Sequence, residues 1–191
     1  MKANGLRGLV AGVAVAALSA SVVHASVEVE GVTFSQRYTD GRVELELGCV
    51  GVLRYMRFIK GYVAALYLDD EDAAAKVLSD VPKRLEISYF WEIEGEKIAS
   101  AGEELVARNV APDELAELRP QLSAIRALYD DVRPGDRYAL TYVPGTGTEL
   151  SLNGKVKGLI PGAEFARAYF AIWLGEEPID ASLKEQLLSC R

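Results

Sequence analysis

Histidine occurs once in the chain, at position 24, and cysteine twice, at positions 49 and 190. The single imidazole falls in an N-terminal segment with the marks of an export signal, so a mature chain would hold no histidine. That excludes Ser-His-Asp and Cys-His mechanisms and removes the side chain that zinc and copper sites use most often. No metal or other cofactor is expected. Positive charge is also scarce: 21 Lys and Arg stand against 28 Asp and Glu, a net charge of −7. Such a balance offers no footing for a nucleic-acid backbone or an anionic membrane surface. Internal repeats and low-complexity linkers are absent as well. Pro144-Gly145-Thr146-Gly147-Thr148 lacks the GK[ST] ending of a phosphate loop and lies between two strand candidates, so it reads as a hairpin turn. What remains is 191 residues, half of them hydrophobic and 26% charged, the composition of one ordinary globular domain.

No apolar run reaches the roughly 20 residues that a membrane span needs. The run from Gly8 to Ala20 follows the basic residues Lys2 and Arg7 and precedes Val23-His24-Ala25, with small residues at the −3 and −1 positions. This is the pattern of a secretory signal. Residues 1–25 are expected to be removed, leaving a single domain over 26–191 with a net charge of −9 and no membrane span; an uncleaved anchor is the alternative. The expected compartment is the periplasm or the medium. An even number of cysteines in an exported chain points to a Cys49–Cys190 disulfide, with two separate buried thiols as the rival.

Along the mature chain two periods alternate. Val27 to Phe34 and Arg42 to Leu47 alternate apolar with polar residues, the period of a sheet with one wet face. Gly51 to Leu68 is more apolar and reads as one long strand or two strands joined near Lys60-Gly61, the centre of the sheet. Lys83 to Trp91, Asp136 to Val143 and Thr148 to Leu152 add strands, with turns at Pro134-Gly135, Pro144-Gly145 and Asn153-Gly154. In Glu94 to Val110 the period becomes that of a helix, with Ile98, Ala101 and Leu105 inward. Pro112 and Pro120 each stand where a helix can start, predicting two short helices, Pro112 to Leu118 and Pro120 to Tyr129. Gly162 to Leu174 carries Phe165, Ala168, Tyr169, Ile172 and Trp173 on one stripe, and Asp180 to Ser189 forms a last helix. The order predicts an α+β fold with an antiparallel sheet. Most aromatic residues, Tyr55, Phe58, Tyr89, Trp91 and Trp173 among them, are expected in the core.

Arg54 stands in an otherwise apolar segment, between Val52-Leu53 and Tyr55-Met56. One reading is a surface ion pair across the sheet with Glu44 or Glu46. The other follows from parity: Arg54, Met56, Phe58, Lys60 and Tyr62 share one face, so Arg54 and Tyr62 would converge on one cavity if the chain turns or bulges near Lys60-Gly61. One extra bulged residue reverses that parity.

Gly51-Val52-Leu53-Arg54, then Tyr62-Val63-Ala64-Ala65-Leu66-Tyr67-Leu68, Gly135-Asp136, Asn153-Gly154 and the ending Ile172-Trp173-Leu174-Gly175 with Pro178 and Leu187-Leu188 together resemble the bacterial chalcone isomerase-like family. The resemblance runs from about Val27 to Leu188. It implies the chalcone isomerase fold, a large antiparallel sheet packed against a helical layer with an apolar cleft between them. In the plant enzymes of that fold, an arginine and a threonine on successive strands act with a tyrosine and an asparagine on a helix. Here Arg54 matches the arginine and Tyr62 stands at the threonine position, while Ile98 and Leu105 stand at the tyrosine and asparagine positions. No catalytic set is therefore expected. The arginine and tyrosine with which the fatty-acid-binding relatives hold a carboxylate correspond to Arg54 and Tyr62.

The resemblance thus implies an exported, non-catalytic protein binding a small apolar carboxylate such as a fatty acid. Arg54 and Tyr62 would hold the head, and the chain would run past Ile98, Leu105, Phe165 and Tyr169. Two other classes stay open. A ring-closing intramolecular lyase would have to use Tyr62, Lys60 or a carboxylate such as Glu103 as acid or base. A structural or partner-binding protein would have its cleft filled by side chains.

Overall fold

The computed structural model describes residues 25–56, 58–69 and 71–189; the expected signal, His24 and Cys190 lie outside the described residues. The first alternating stretch folds as a hairpin rather than one strand: β1 (Ser26–Val29) and β2 (Val32–Ser35) pair antiparallel around Glu30-Gly31. Both turn residues have positive φ, 53° and 80°, as a two-residue turn matched to strand twist requires. Seven strands follow in one antiparallel sheet: β3 (Arg37–Thr39), β4 (Glu44–Tyr55), β5 (Ile59–Leu68), β6 (Lys83–Tyr89), β7 (Arg137–Val143), β8 (Gly147–Leu152) and β9 (Lys155–Ile160). Their order in the sheet is their order in the chain. Alternation predicts neither edge strand, because β3 is three residues long and the β8–β9 pairing shifts register between Leu150 and Ser151.

A single 3₁₀ stretch (Glu71–Lys76) follows β5, and helices α1 (Gly95–Asn109) and α2 (Pro112–Arg126) are inserted between β6 and β7. Helix α2 corrects the expectation of two short helices, for Pro120 lies inside it. Leu118, Leu122 and Ile125 form its buried side, whereas Pro120 and Ala116 are exposed. The carbonyl that the proline ring leaves without a partner therefore meets water, and on the solvent side of a curved helix that costs least. Helices α3 (Ala163–Leu174) and α4 (Ala181–Leu188) close the chain. Among the described residues no helix is long and apolar enough to cross a membrane, and no group of His, Cys, Asp and Glu could hold a metal ion.

Both faces of the central strands are covered, which explains why Tyr62 to Leu68 is an unbroken apolar run. Ala64, Leu66, Leu85, Ile87 and Leu140 face the helices, and α3 lies deepest among these, with Phe165, Ala166 and Ala168 to Leu174 all buried. On the outer face Val52, Val63, Ala65 and Tyr67 pack with Phe34 of the β1–β2 hairpin. Beside them Glu86 bridges Arg84 and Arg137, whose guanidinium groups lie over the rings of Tyr38 and Phe34 at 3.9 and 4.8 Å from their centroids.

Strand β4 outruns β3, which pairs only with Glu44 to Glu46, and α4 covers the edge so exposed. The Gln186 side chain accepts a hydrogen bond from the Val52 N–H at 3.0 Å, supplying a partner that a strand would otherwise give. The helix comes this close because residue 51 is glycine; a Cβ there would lie 2.7 Å from Leu183 Cδ1 and 3.0 Å from Gln186 Cβ.

Candidate ligand site

The strand pair β4–β5 decides which side chains reach the interior. Leu53 pairs with Tyr62, but Arg54 pairs with Lys60, so Gly61 is an extra residue and the register shifts there. Tyr62 consequently stays on the helix-facing side with Leu53. Arg54 turns to the outer face with Lys60, and both form ion pairs with Glu30 in the β1–β2 turn. Hydrogen bonds from Lys60 and Arg54 hold the Glu30 carboxyl below its usual range. Beyond the bulge Tyr55, Met56 and Phe58 are exposed at the hairpin tip, and Trp91 is exposed too, which corrects the expectation that these aromatics lie in the core.

Between the sheet and helices α1 and α3 lies an apolar cavity of about 250 Å³. Leu53, Leu85, Ile87, Leu140 and Leu150 form its sheet side, and Ile98, Ala101, Gly102 and Leu105 of α1 with Ile172 of α3 its helical side. It reaches the surface at Trp91 and Lys97, where Lys97 pairs with Glu94. The remaining wall is aromatic: Tyr62, Tyr89, Tyr129, Tyr138, Tyr169 and Trp173.

These rings are ordered by edge-to-face contacts and a few hydrogen bonds. Tyr89 meets Tyr62 and Tyr138 at 5.8 and 6.3 Å between centroids, and Tyr129 meets Tyr138 at 5.0 Å. Trp173 Nε1 donates to Tyr62 Oη at 2.9 Å, joining α3 to β5. The hydroxyls of Tyr129 and Tyr169 share a hydrogen bond of 2.8 Å. Tyr138 Oη accepts from the Asp130 N–H at 2.7 Å and donates to the Asp130 carbonyl at 3.1 Å. Helix α1 can approach this group because residue 102 is glycine: a Cβ there would lie 3.1 Å from Tyr169 Oη. Burial pushes the phenols of Tyr62, Tyr89, Tyr129 and Tyr169 upward, so at neutral pH each is a proton donor and none a base.

Of the residues singled out by sequence, the cavity brings together Tyr62, Ile98, Leu105 and Tyr169. Phe165 is fully buried behind Tyr169, stacked on it at 5.1 Å, and is not part of the wall. Arg54 is the main correction. It lies outside the cavity on the far face of the sheet, in a surface ion pair with Glu30 rather than with Glu44 or Glu46. Lys60 lies with it, and Glu103 of α1 is exposed and pairs with Arg126. The residues that sequence reasoning assigned to plain core, Tyr89 and Trp173, are wall residues, as are Tyr129 and Tyr138, which it did not single out. The available signal was their hydroxyls: so many phenols at inward-facing positions exceed what a purely apolar core accommodates. The expected Cys49–Cys190 disulfide involves a residue outside the described ones.

The sequence matches the chalcone isomerase-like family model over residues 26–189. The chain belongs to that family. Its fold also matches that of a fatty-acid binding protein of Arabidopsis thaliana, with a TM-score of 0.69 and 16% sequence identity, over 86% of this chain and 96% of that one. At such identity the likeness is one of fold. No protein of curated function matches the sequence. Within the chalcone isomerase-like fold, this chain thus has an interior wall of tyrosines, and its early-strand arginine, Arg54, turns away from it.

Proposed function

We propose that the protein binds a small apolar ligand of the fatty-acid class in the cavity between sheet and helices and does no chemistry on it. The observation that carries this reading is the cavity wall itself: about 250 Å³ of apolar space whose inner polar atoms are phenols held protonated by burial and the Trp173 indole N–H, with Lys97 at the mouth. Among the described residues no carboxylate or imidazole lines the cavity, so the usual general bases are missing from its wall. The fatty-acid binding named for the Arabidopsis protein of the same fold supports the ligand class.

At a water's liquid share of about 30 Å³, the cavity holds roughly eight water-sized groups, so a medium-length chain or one ring system is the expected occupant. Each methylene contributes about 0.8 kcal/mol on leaving water. Longer chains would emerge at Trp91 and Lys97. The N-terminal pattern of basic residues, short apolar run and Val23-His24-Ala25 supports export to the periplasm or medium.

Mass spectrometry of an organic extract from freshly purified protein tests the reading, with a medium-chain acid or similar amphiphile as the expected finding. An empty extract together with no uptake of any apolar probe would overturn it. Chalcone ring closure well above the spontaneous rate, followed by absorbance, would show a catalyst instead.

A further inference from the structure

The phenols around the cavity are not equally satisfied. Tyr138 both accepts and donates through Asp130. Tyr62 accepts from Trp173, and of the pair Tyr129 and Tyr169 one accepts from the other. In each of these two cases the accepting hydroxyl keeps a proton of its own, and no acceptor for that proton is found among the described residues. Tyr89 goes further. It is 6% exposed and lines the cavity, and its hydroxyl has no hydrogen-bond partner among the described residues. Its ring stands edge-on between Tyr62 and Tyr138, which places it in the middle of the group.

Its hydroxyl meets the cavity space rather than a protein acceptor, so whatever fills that space supplies its partner. That partner has a definite chemistry, for the neighbouring phenols also offer donors. An acceptor atom entering the cavity would serve Tyr89, and the free protons of Tyr62 and of the Tyr129–Tyr169 pair add further donors to the same wall. Charge is the second constraint. Among the described residues the one cation on the wall is Lys97, which is exposed at the mouth and paired with Glu94, while Arg54 and Lys60 lie beyond the sheet. A carboxylate anion taken to the tyrosines would lose its hydration with no cation to replace it.

We propose that Tyr89 is the contact for the polar end of the ligand, and that this end is bound uncharged, as a carbonyl or as a protonated carboxyl group. This rests on the cavity being a ligand site, and it reverses the arrangement in which an ionised head is held by Arg54. The groups facing Tyr89 are Tyr62 from β5, Tyr138 from β7, Tyr129 after α2 and Tyr169 from α3, with Lys97 of α1 at the mouth. Burial keeps the phenols protonated from pH 5 to 8, so a change of affinity over that range reports the ligand's proton.

The test is displacement of Nile red from the mature protein by 2-nonanone, octanoic acid and n-octane. At pH 7.5 the ketone should bind at least tenfold more tightly than octanoate and than the alkane. Octanoic acid should gain about tenfold per pH unit as the pH falls toward its own pKa, while the ketone stays level. Tyr89→Phe should weaken the ketone five- to tenfold and leave n-octane unchanged, and the unchanged alkane shows that the cavity is intact. Octanoate binding as tightly as the ketone at pH 7.5, or a ketone affinity indifferent to Tyr89→Phe, would overturn the proposal while the cavity remained a ligand site. If neither Nile red nor any of the three binds, the site itself is refuted.

Discussion

Arg54 and Tyr62, on the paired strands β4 and β5, project from opposite faces of the sheet, because Gly61 adds one residue between the Leu53–Tyr62 and Arg54–Lys60 pairs. The two side chains therefore cannot act on one ligand head. Arg54→Ala removes an exposed ion pair with Glu30, so it should change stability by about 0 to 1 kcal/mol and apolar-ligand affinity by less than about twofold. Titration of a fluorescent fatty acid checks this. A loss of more than tenfold with the fold intact would mean that Arg54 reaches the ligand after all.

Gly102 is the residue through which α1 approaches the tyrosines. Alanine in a helix interior is ordinarily more stable than glycine by about 1 kcal/mol. Here the added methyl would lie 3.1 Å from Tyr169 Oη and press on the hydrogen bond between Tyr169 and Tyr129. The expected outcome for Gly102→Ala is a stability change within about 1 kcal/mol of zero, since gain and strain offset, together with weaker ligand binding. Urea unfolding and probe titration on the same sample separate the two effects, and a variant that binds as the parent does would show that Tyr169 has room to move.

Lys83 is fully buried on the helix-facing side of β6, donates to the Ser79 carbonyl at 2.7 Å, and lies over the rings of Tyr142 and Phe170. Burial lowers its pKa from 10.5 to about 8, with Asp80 and Asp69 opposing the shift. Below pH 8 the lysine is charged in both folded and unfolded chains. Between about 8 and 10.5 the unfolded chain binds a proton that the folded one has released, so stability rises with pH in that window. The buried tyrosines act oppositely above about pH 10, where the unfolded chain ionises first. Urea unfolding should show higher stability at pH 9 than at pH 7.5, and Lys83→Met should remove the rise. A Lys83→Met profile parallel to that of the parent would refute the depressed pKa.

The last helix, α4, runs along the edge of β4, the strand that carries Cys49, with Gln186 against Val52. Exported protein is expected to hold a Cys49–Cys190 disulfide. Closing so long a loop is worth about 4 to 5 kcal/mol in the chain-entropy account. Intact mass under non-reducing conditions should be two hydrogens below that of the reduced chain, and thermal stability should fall on reduction. Two thiols that alkylate without reductant would refute the bridge.

The alternation in Val43 to Leu47 and the apolar run around Tyr62 to Leu68 state their burial in the order of the residues, and the strands and helices follow from local periodicity. On α1 the expected stripe of Ile98, Ala101 and Leu105 is corrected: Gly95, Ala99, Gly102, Leu105 and Val106 form its buried side, with Ile98 half-buried and Ala101 exposed, because the helix approaches the tyrosines through its small residues. Periodicity fails where one residue is added. Parity carried across Lys60-Gly61 puts Arg54 and Tyr62 together, and the bulge at Gly61 separates them. Pro120 is likewise a helix break by composition, and only its position on the solvent side of α2 makes it tolerable. The composition and periods of the chain therefore determined an α+β sheet-and-helix domain with an apolar interior. The tertiary structure alone decided which polar atoms face that interior, because Tyr89, Tyr129, Tyr138 and Tyr169 come from four separate segments and meet only when β6, β7, α3 and the chain after α2 close around one space.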